Sequence, residues 1–336
     1  MMHHDVSRLS VGVVIPAFNA ERWIVDALDS VAGQTRSPEA IVVVNDGSVD
    51  STAEVVESWI AGAPSAIKVQ LISHENKGIG GARNTGILAL DTELIALLDA
   101  DDVWKPHHLA MTCEALERHD DLVLCFANHQ PFNRDGPIGS PFLSGKTIER
   151  LPTEERDGGL TVLRGGVFES LLTGSYISPS TSVLRRSSIH AIGLFDPELR
   201  VAEDYDFFLR LAKFGTFGYF PYIHTHYRLH NENMSHVKHS LRMKEFGLAV
   251  RLKLLRRSKE LSLTDAERIA LVSTTVSKCR SLLYDASRHG FSIYFTHAWK
   301  CAKAGIWSPI LNPKDWLRSL AFLLGYRGRS GAALRS

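Results

Sequence analysis

Short apolar runs alternate with amphipathic stretches along the first 125 residues. Val11–Ile15, Ala40–Val44, Lys68–Ile72, Glu93–Leu98 and Leu122–Ala127 read as strands. Between them, residues 21–34, 51–61, 80–90 and 106–118 carry helical periodicity. In the first of these, Trp23, Ile24, Ala27, Leu28 and Val31 fall on one apolar face. Strands separated by helices predict a mainly parallel sheet flanked by helices on both faces. Residues 128–175 are punctuated by Gly and Pro and read as long loops over the ligand edge of that sheet. A short strand near 180–184 and a helix near 204–214 follow. Beyond residue 240 the pattern is helical, in segments 241–258, 264–288, 291–304 and 314–325. We therefore expect a catalytic domain over residues 1–238 and a helical appendix over 239–336.

Composition narrows the class. The formal charge of +1 over 336 residues gives no reason to expect a nucleic-acid partner. Cys113, Cys125, Cys279 and Cys301 lack metal-ligand spacing and read as buried thiols in a reducing compartment. The first ten residues have no apolar core, and no run approaches the ~20 apolar residues of a membrane span. The expected location is cytoplasmic, at most peripheral on the inner face of a membrane. Residues 314–329, apolar and flanked by Lys314, Arg318, Arg327 and Arg329, form the candidate contact for an anionic surface. The same appendix can instead cap the catalytic domain or form a homodimer surface.

Candidate chemistry collects at predicted strand ends. Asp99-Ala100-Asp101-Asp102 follows the apolar run Leu94–Leu98. Open α/β sheets bind ligands there, and clustered carboxylates are tolerated around a hard cation. Pro16-Ala17-Phe18-Asn19 ends the first strand, where Pro16 is expected to break the ladder. Asp46 ends the second strand, and Gly47 permits the turn after it. Gly78, Gly80 and Gly81 with Arg83 form a glycine-rich helix entry suited to an anion. Glu203-Asp204-Tyr205-Asp206 opens an amphipathic helix, as a general base or as a cap. In Tyr227-Arg228-Leu229-His230, the histidine can ligate a cation and the arginine can touch a phosphate.

Five segments in this order resemble the family 2 glycosyltransferases of GT-A fold: VVIPAFNAERWIVDALDSVAGQT, IVVVNDGSVDST, NKGIGGARNTGI, LLDADDVW and AEDYDFFLRL. The resemblance spans about residues 9–235. It implies an inverting transfer of one sugar from a nucleoside-diphosphate sugar, with a UDP-sugar favoured. The implied acceptor is a hydroxyl of a saccharide or lipid-linked glycan, in surface polysaccharide or glycoconjugate assembly. Pro16, Ala17, Phe18, Asn19, Asp46, Arg83, Asp99 and Ala100 would bind the donor. Asp101 and His230 would hold Mg2+ or Mn2+, and Asp204 would be the base. Glu203, Asp102 and Trp104 would face the acceptor. Asn45 stands where many relatives carry aspartate, and the Gln-x-x-Arg-Trp motif of processive members is missing, which implies a non-processive enzyme. The rivals are a non-catalytic carbohydrate-binding or scaffold protein of the same fold and a sugar-phosphate nucleotidyltransferase. The latter opens with a glycine-rich loop where this chain has Pro16–Asn19.

Overall fold

The first turn of the sheet is built from runs that are buried on both faces. The computed structural model describes residues 8–63, 67–230, 240–307, 310, 314 and 317. Strand β1 (Val11–Ala17) leads to helix α1 (Ile24–Ala32), β2 (Ala40–Asp46), α2 (Thr52–Gly62), β3 (Lys68–His74), α3 (Ile79–Ala89) and β4 (Leu94–Leu97). Every residue of β1 and β4 is buried, as parallel strands covered by helices require. The edge strand β3 instead carries Lys68, Gln70 and Ser73 toward solvent. Helix α1 buries Ile24, Ala27, Leu28 and Val31, the i, i+3, i+4, i+7 spacing of a core-facing stripe. Trp23 is not part of that stripe: it precedes the helix and is only half-buried.

β1 runs through Pro16, which pairs with Val44, so the expected break does not occur. The neighbouring β4 accounts for this. Its last paired residue, Leu97, lies opposite Val14, and Leu98 N–H donates to the Val14 carbonyl. Pro16 shares the orientation of Val14, so its missing N–H falls where β4 has already ended.

The chain continues through β5 (Val103–Trp104), α4 (His108–Arg118), β6 (Leu122–Asn133) and β7 (Gly136–Pro137). β8 (Thr153–Arg156), β9 (Leu160–Leu163), α5 (Val167–Thr173), β10 (Ser182–Arg185), α6 (Arg186–Ile192), α7 (Glu203–Leu211) and β11 (Thr216–Arg228) complete the first unit. The sheet order is β3-β2-β1-β4-β10-β6-β11-β9-β8, with β5 beside β11 and β7 beside β6. Pairs β1–β2, β1–β4, β2–β3 and β6–β11 are parallel, and β10 enters antiparallel between β4 and β6. The result is a mixed sheet with a parallel core, flanked by helices.

Residues 128–175 are more ordered than their Gly and Pro content suggests. β8 and β9 form a hairpin turned by Asp157-Gly158-Gly159, both glycines at positive φ. β9 pairs with β11 and widens the sheet.

Contacts cluster into two units, residues 1–233 and 234–336. In the second, α8 (Ser240–Arg256), α9 (Asp265–Ser287) and α10 (Phe291–Lys303) enclose Leu248, Cys279, Leu282, Leu283, Tyr294, Ala298 and Cys301. Thr264 and Glu267 form a capping box that starts α9. All four cysteines are buried and free. Among the described residues, no helix is long and apolar enough to cross a membrane. The junction near 238 and most of 314–329, the expected membrane contact, lie outside the described residues.

Candidate active site

The strand order places β1 between β2 and β4, so the chain turns to opposite sides at the carboxyl end of β1. Ligands of open α/β sheets bind at such a point. Asp46 ends β2 on this edge, and Phe18 and Asp99 follow the ends of β1 and β4.

The acidic stretch is a tight turn. Asp99 N–H donates to Ser180 Oγ at 3.1 Å, and Asp102 N–H donates back to the Asp99 carbonyl at 3.1 Å. This closure separates the carboxylates by role. Asp99 accepts from Arg83 Nη2 at 2.6 Å. Asp101 Oδ2 lies 2.9 Å from His230 Nε2. Asp102 points inward, fully buried, and accepts the Arg228 backbone N–H at 3.0 Å. Burial, and then the charges of Asp101 and Asp99, push its carboxyl well above the usual range. Asp102 therefore supports the turn from inside. Trp104 is likewise enclosed: its Nε1–H donates to the Ser180 carbonyl at 2.6 Å and its ring stacks on His108. Both side chains are enclosed where the turn closes toward β11 and the backbone at Ser180.

Arg83 joins the turn to α7. Its guanidinium donates to Asp99 on one side and to Glu203 Oε1, also 2.6 Å away, on the other. Burial alone would lower its pKa, but the charges of Asp99 and Glu203 overcome this and hold it above its ordinary value. Glu203 is thus committed to a buried ion pair. The glycines on either side of Arg83 serve packing. A Cβ on Gly86 would meet Val14 Cγ1 at 2.4 Å, and one on Gly80 would meet the Glu203 side chain at 3.2 Å. They let α3 lie against β1 and α7.

Asp204 is the second residue of α7, which starts directly after Ala202, whose φ of 63° is left-handed. That backbone turn aims the first helical residues at Arg83 and the acidic turn. Enclosure, and then the adjacent Glu203 charge, push the Asp204 carboxyl up to about 7, against the opposing pull of Arg83. Asp206 has a different task, a buried ion pair with Arg210 at 2.9 Å.

On the opposite wall, Pro16 and Ala17 are buried within β1, while Phe18 is exposed and Asn19 adopts φ 50°. Asn19 N–H donates to Ser48 Oγ, and its Oδ1 accepts from Val49 N–H, so the loops after β1 and β2 are joined. Asp46 Oδ1 accepts from Lys77 N–H at 2.7 Å. Asn45 holds Ser73 and Ser48, a structural use that its amide serves through both ends. Ala100 is buried in the acidic turn.

Among the described residues, no group of three or more His, Cys, Asp or Glu side chains could hold a metal. Asp101 and His230 do converge, and a carboxylate with an imidazole suits Mn2+ or Mg2+ when oxygen atoms of a ligand complete the shell. His230 stacks on Trp23 with 5.5 Å between centroids, and a cavity of about 750 Å³ opens beside them, lined by Asn19, Trp23, Asn133, Arg134, Arg228 and His230 among others. The sequence marked Trp23 only as part of an apolar helix face and gave no site role to it or to Ser180. Their partners lie far away along the chain, and no local spacing marks them.

Known proteins agree with this fold. S. aureus TarS 1-349 in complex with UDP-GlcNAc superposes with a TM-score of 0.57 at 17% identity, covering 94% of this chain and 92% of that one. A mannosyltransferase of Pyrobaculum calidifontis in complex with GDP-Man and Mn2+ gives 0.56 at 17% identity, over 95% and 86%. The architecture is the GT-A fold. Residues 12–170 match the family described as glycosyl transferase family 2. An uncharacterized glycosyltransferase of Nostoc is 41% identical over 112 residues, 33% of this chain and 34% of that protein. The chain thus spans about a third of that relative's length.

Proposed function

We propose that this protein is an inverting, non-processive, divalent-cation-dependent glycosyltransferase. It moves one sugar from a nucleoside-diphosphate sugar, a UDP-sugar by our reading, to a hydroxyl of a saccharide or lipid-linked acceptor. The carrying observation is the set of carboxylates ordered around Arg83. Asp99 and Glu203 are neutralised by the guanidinium, Asp101 is turned to His230, and Asp204 is left with a pKa near neutrality. Environments that push neighbouring carboxylates apart mark acid–base assignments. The relatives bound to UDP-GlcNAc and to GDP-Man with Mn2+ support a nucleotide sugar and a cation.

In this reading Asp204 takes the proton of the acceptor hydroxyl as its oxygen attacks C1 of the donor sugar. The bond from C1 to the diphosphate oxygen breaks with its electron pair leaving on the diphosphate. A single displacement inverts C1 and needs no second carboxylate as nucleophile. Asp101 and His230 would hold Mg2+ or Mn2+, which offsets charge developing on the leaving diphosphate. Exposed Phe18 would offer its face to the base.

The base must be ionised to act. Because its pKa is raised to about 7, turnover is expected to fall about tenfold per pH unit below neutrality and to level off above it. A pH profile of kcat at saturating donor and acceptor checks this. A profile flat from about pH 5 to 8 would remove Asp204 as the base.

A further inference from the structure

We propose that Arg228 is a positioning residue that sets the mutual geometry of Asp101 and His230. This rests on the cation reading of that pair. Arg228 ends β11, two residues before His230. Its Nε–H donates to the Asp101 carbonyl at 2.9 Å, and its backbone N–H donates to Asp102 Oδ1 at 3.0 Å. Nη2 reaches Asp26 Oδ2 on α1 at 2.7 Å. The guanidinium lies over the Trp23 ring at 4.8 Å and the Phe132 ring at 4.6 Å.

Each contact fixes one degree of freedom. The two bonds to residues 101 and 102 hold the acidic turn against the end of β11. The contact with Trp23 holds the ring on which His230 stacks. One side chain therefore references both donors, Asp101 from its backbone and His230 from its ring partner. Outer partners of this kind orient metal ligands. Lysine cannot replace it: an ammonium offers no planar fork to reach Asp101 and Asp26 together, and no flat face to lie against both rings.

The test is Mn2+ binding by the full chain, read from loss of the free-ion paramagnetic resonance signal, with melting temperature measured without cation. Arg228→Lys is expected to weaken Mn2+ binding about tenfold or more. At saturating Mn2+, kcat should recover toward wild type while the cation requirement stays shifted. A side chain that merely braced the fold would lower the melting temperature and leave Mn2+ affinity unchanged, which overturns the inference. If Arg228→Lys does not fold, Asp26→Asn keeps the arginine and both rings and is expected to weaken binding roughly two- to fivefold. Unchanged affinity there overturns it equally. Wild-type binding that is insensitive to Asp101→Ala would instead discard the cation reading, and this inference with it.

Discussion

Asp204→Asn is expected to lower kcat by about 10²–10⁴-fold while leaving donor affinity near wild type. The amide keeps the shape of the carboxylate and cannot accept the acceptor's proton. Asp204 N-terminal placement on α7 is held by the Ala202 turn and by Glu203, and neither contact needs the Asp204 charge. The fold should therefore survive, and binding titrations beside steady-state kinetics separate the two effects. The substitution also relieves repulsion with Glu203, so a slightly raised melting temperature is consistent with the expectation. Transfer that persists at the wild-type rate would assign the base elsewhere.

The largest effect on stability is expected from Arg83→Met. The side chain is 2% exposed and neutralises Glu203, 7% exposed, and Asp99. Methionine fills much of the space but leaves Glu203 buried without its partner. Breaking one side of a buried ion pair costs about 3–5 kcal/mol. For a unit of 233 residues that corresponds to a fall in melting temperature on the order of 10 °C. Calorimetry measures it directly. A double variant, Arg83→Met with Glu203→Gln, should recover much of the loss, because the uncompensated charge is then gone. A single variant as stable as wild type would show that the bridge is not what ties α3 to α7.

The alternation of strands and helices over residues 11–125 was legible because each element carries its own periodicity. The apolar runs marked β1, β2 and β4 as strands, and Asp46 and Asp99 could be placed at strand ends without knowing the sheet order. β11 was not legible. Its pairing with β6 is interrupted between Phe220 and Ile223, around Pro221, and it has no clean alternation. The directions of the acidic turn were equally hidden. Asp101 and Asp102 are adjacent in sequence, yet one meets His230 and the other is sealed beneath Arg228, through contacts 126–129 residues apart. The Arg228–Asp26 bond spans 202 residues. Gly80 read as part of an anion-binding helix entry, and Gly86 drew no reading of its own, because the sequence shows their smallness and not what approaches them. In the fold, Glu203 and Val14 do.

The most direct measurement is calorimetric titration of the protein with a panel of nucleotide sugars, with and without Mn2+. Binding of one UDP-sugar that requires Mn2+ and is lost in Asp101→Ala is the expected result. Binding that is indifferent to the cation and to Asp101, or no binding to any donor in the panel, would contradict a cation-dependent transferase site at the carboxyl end of β4.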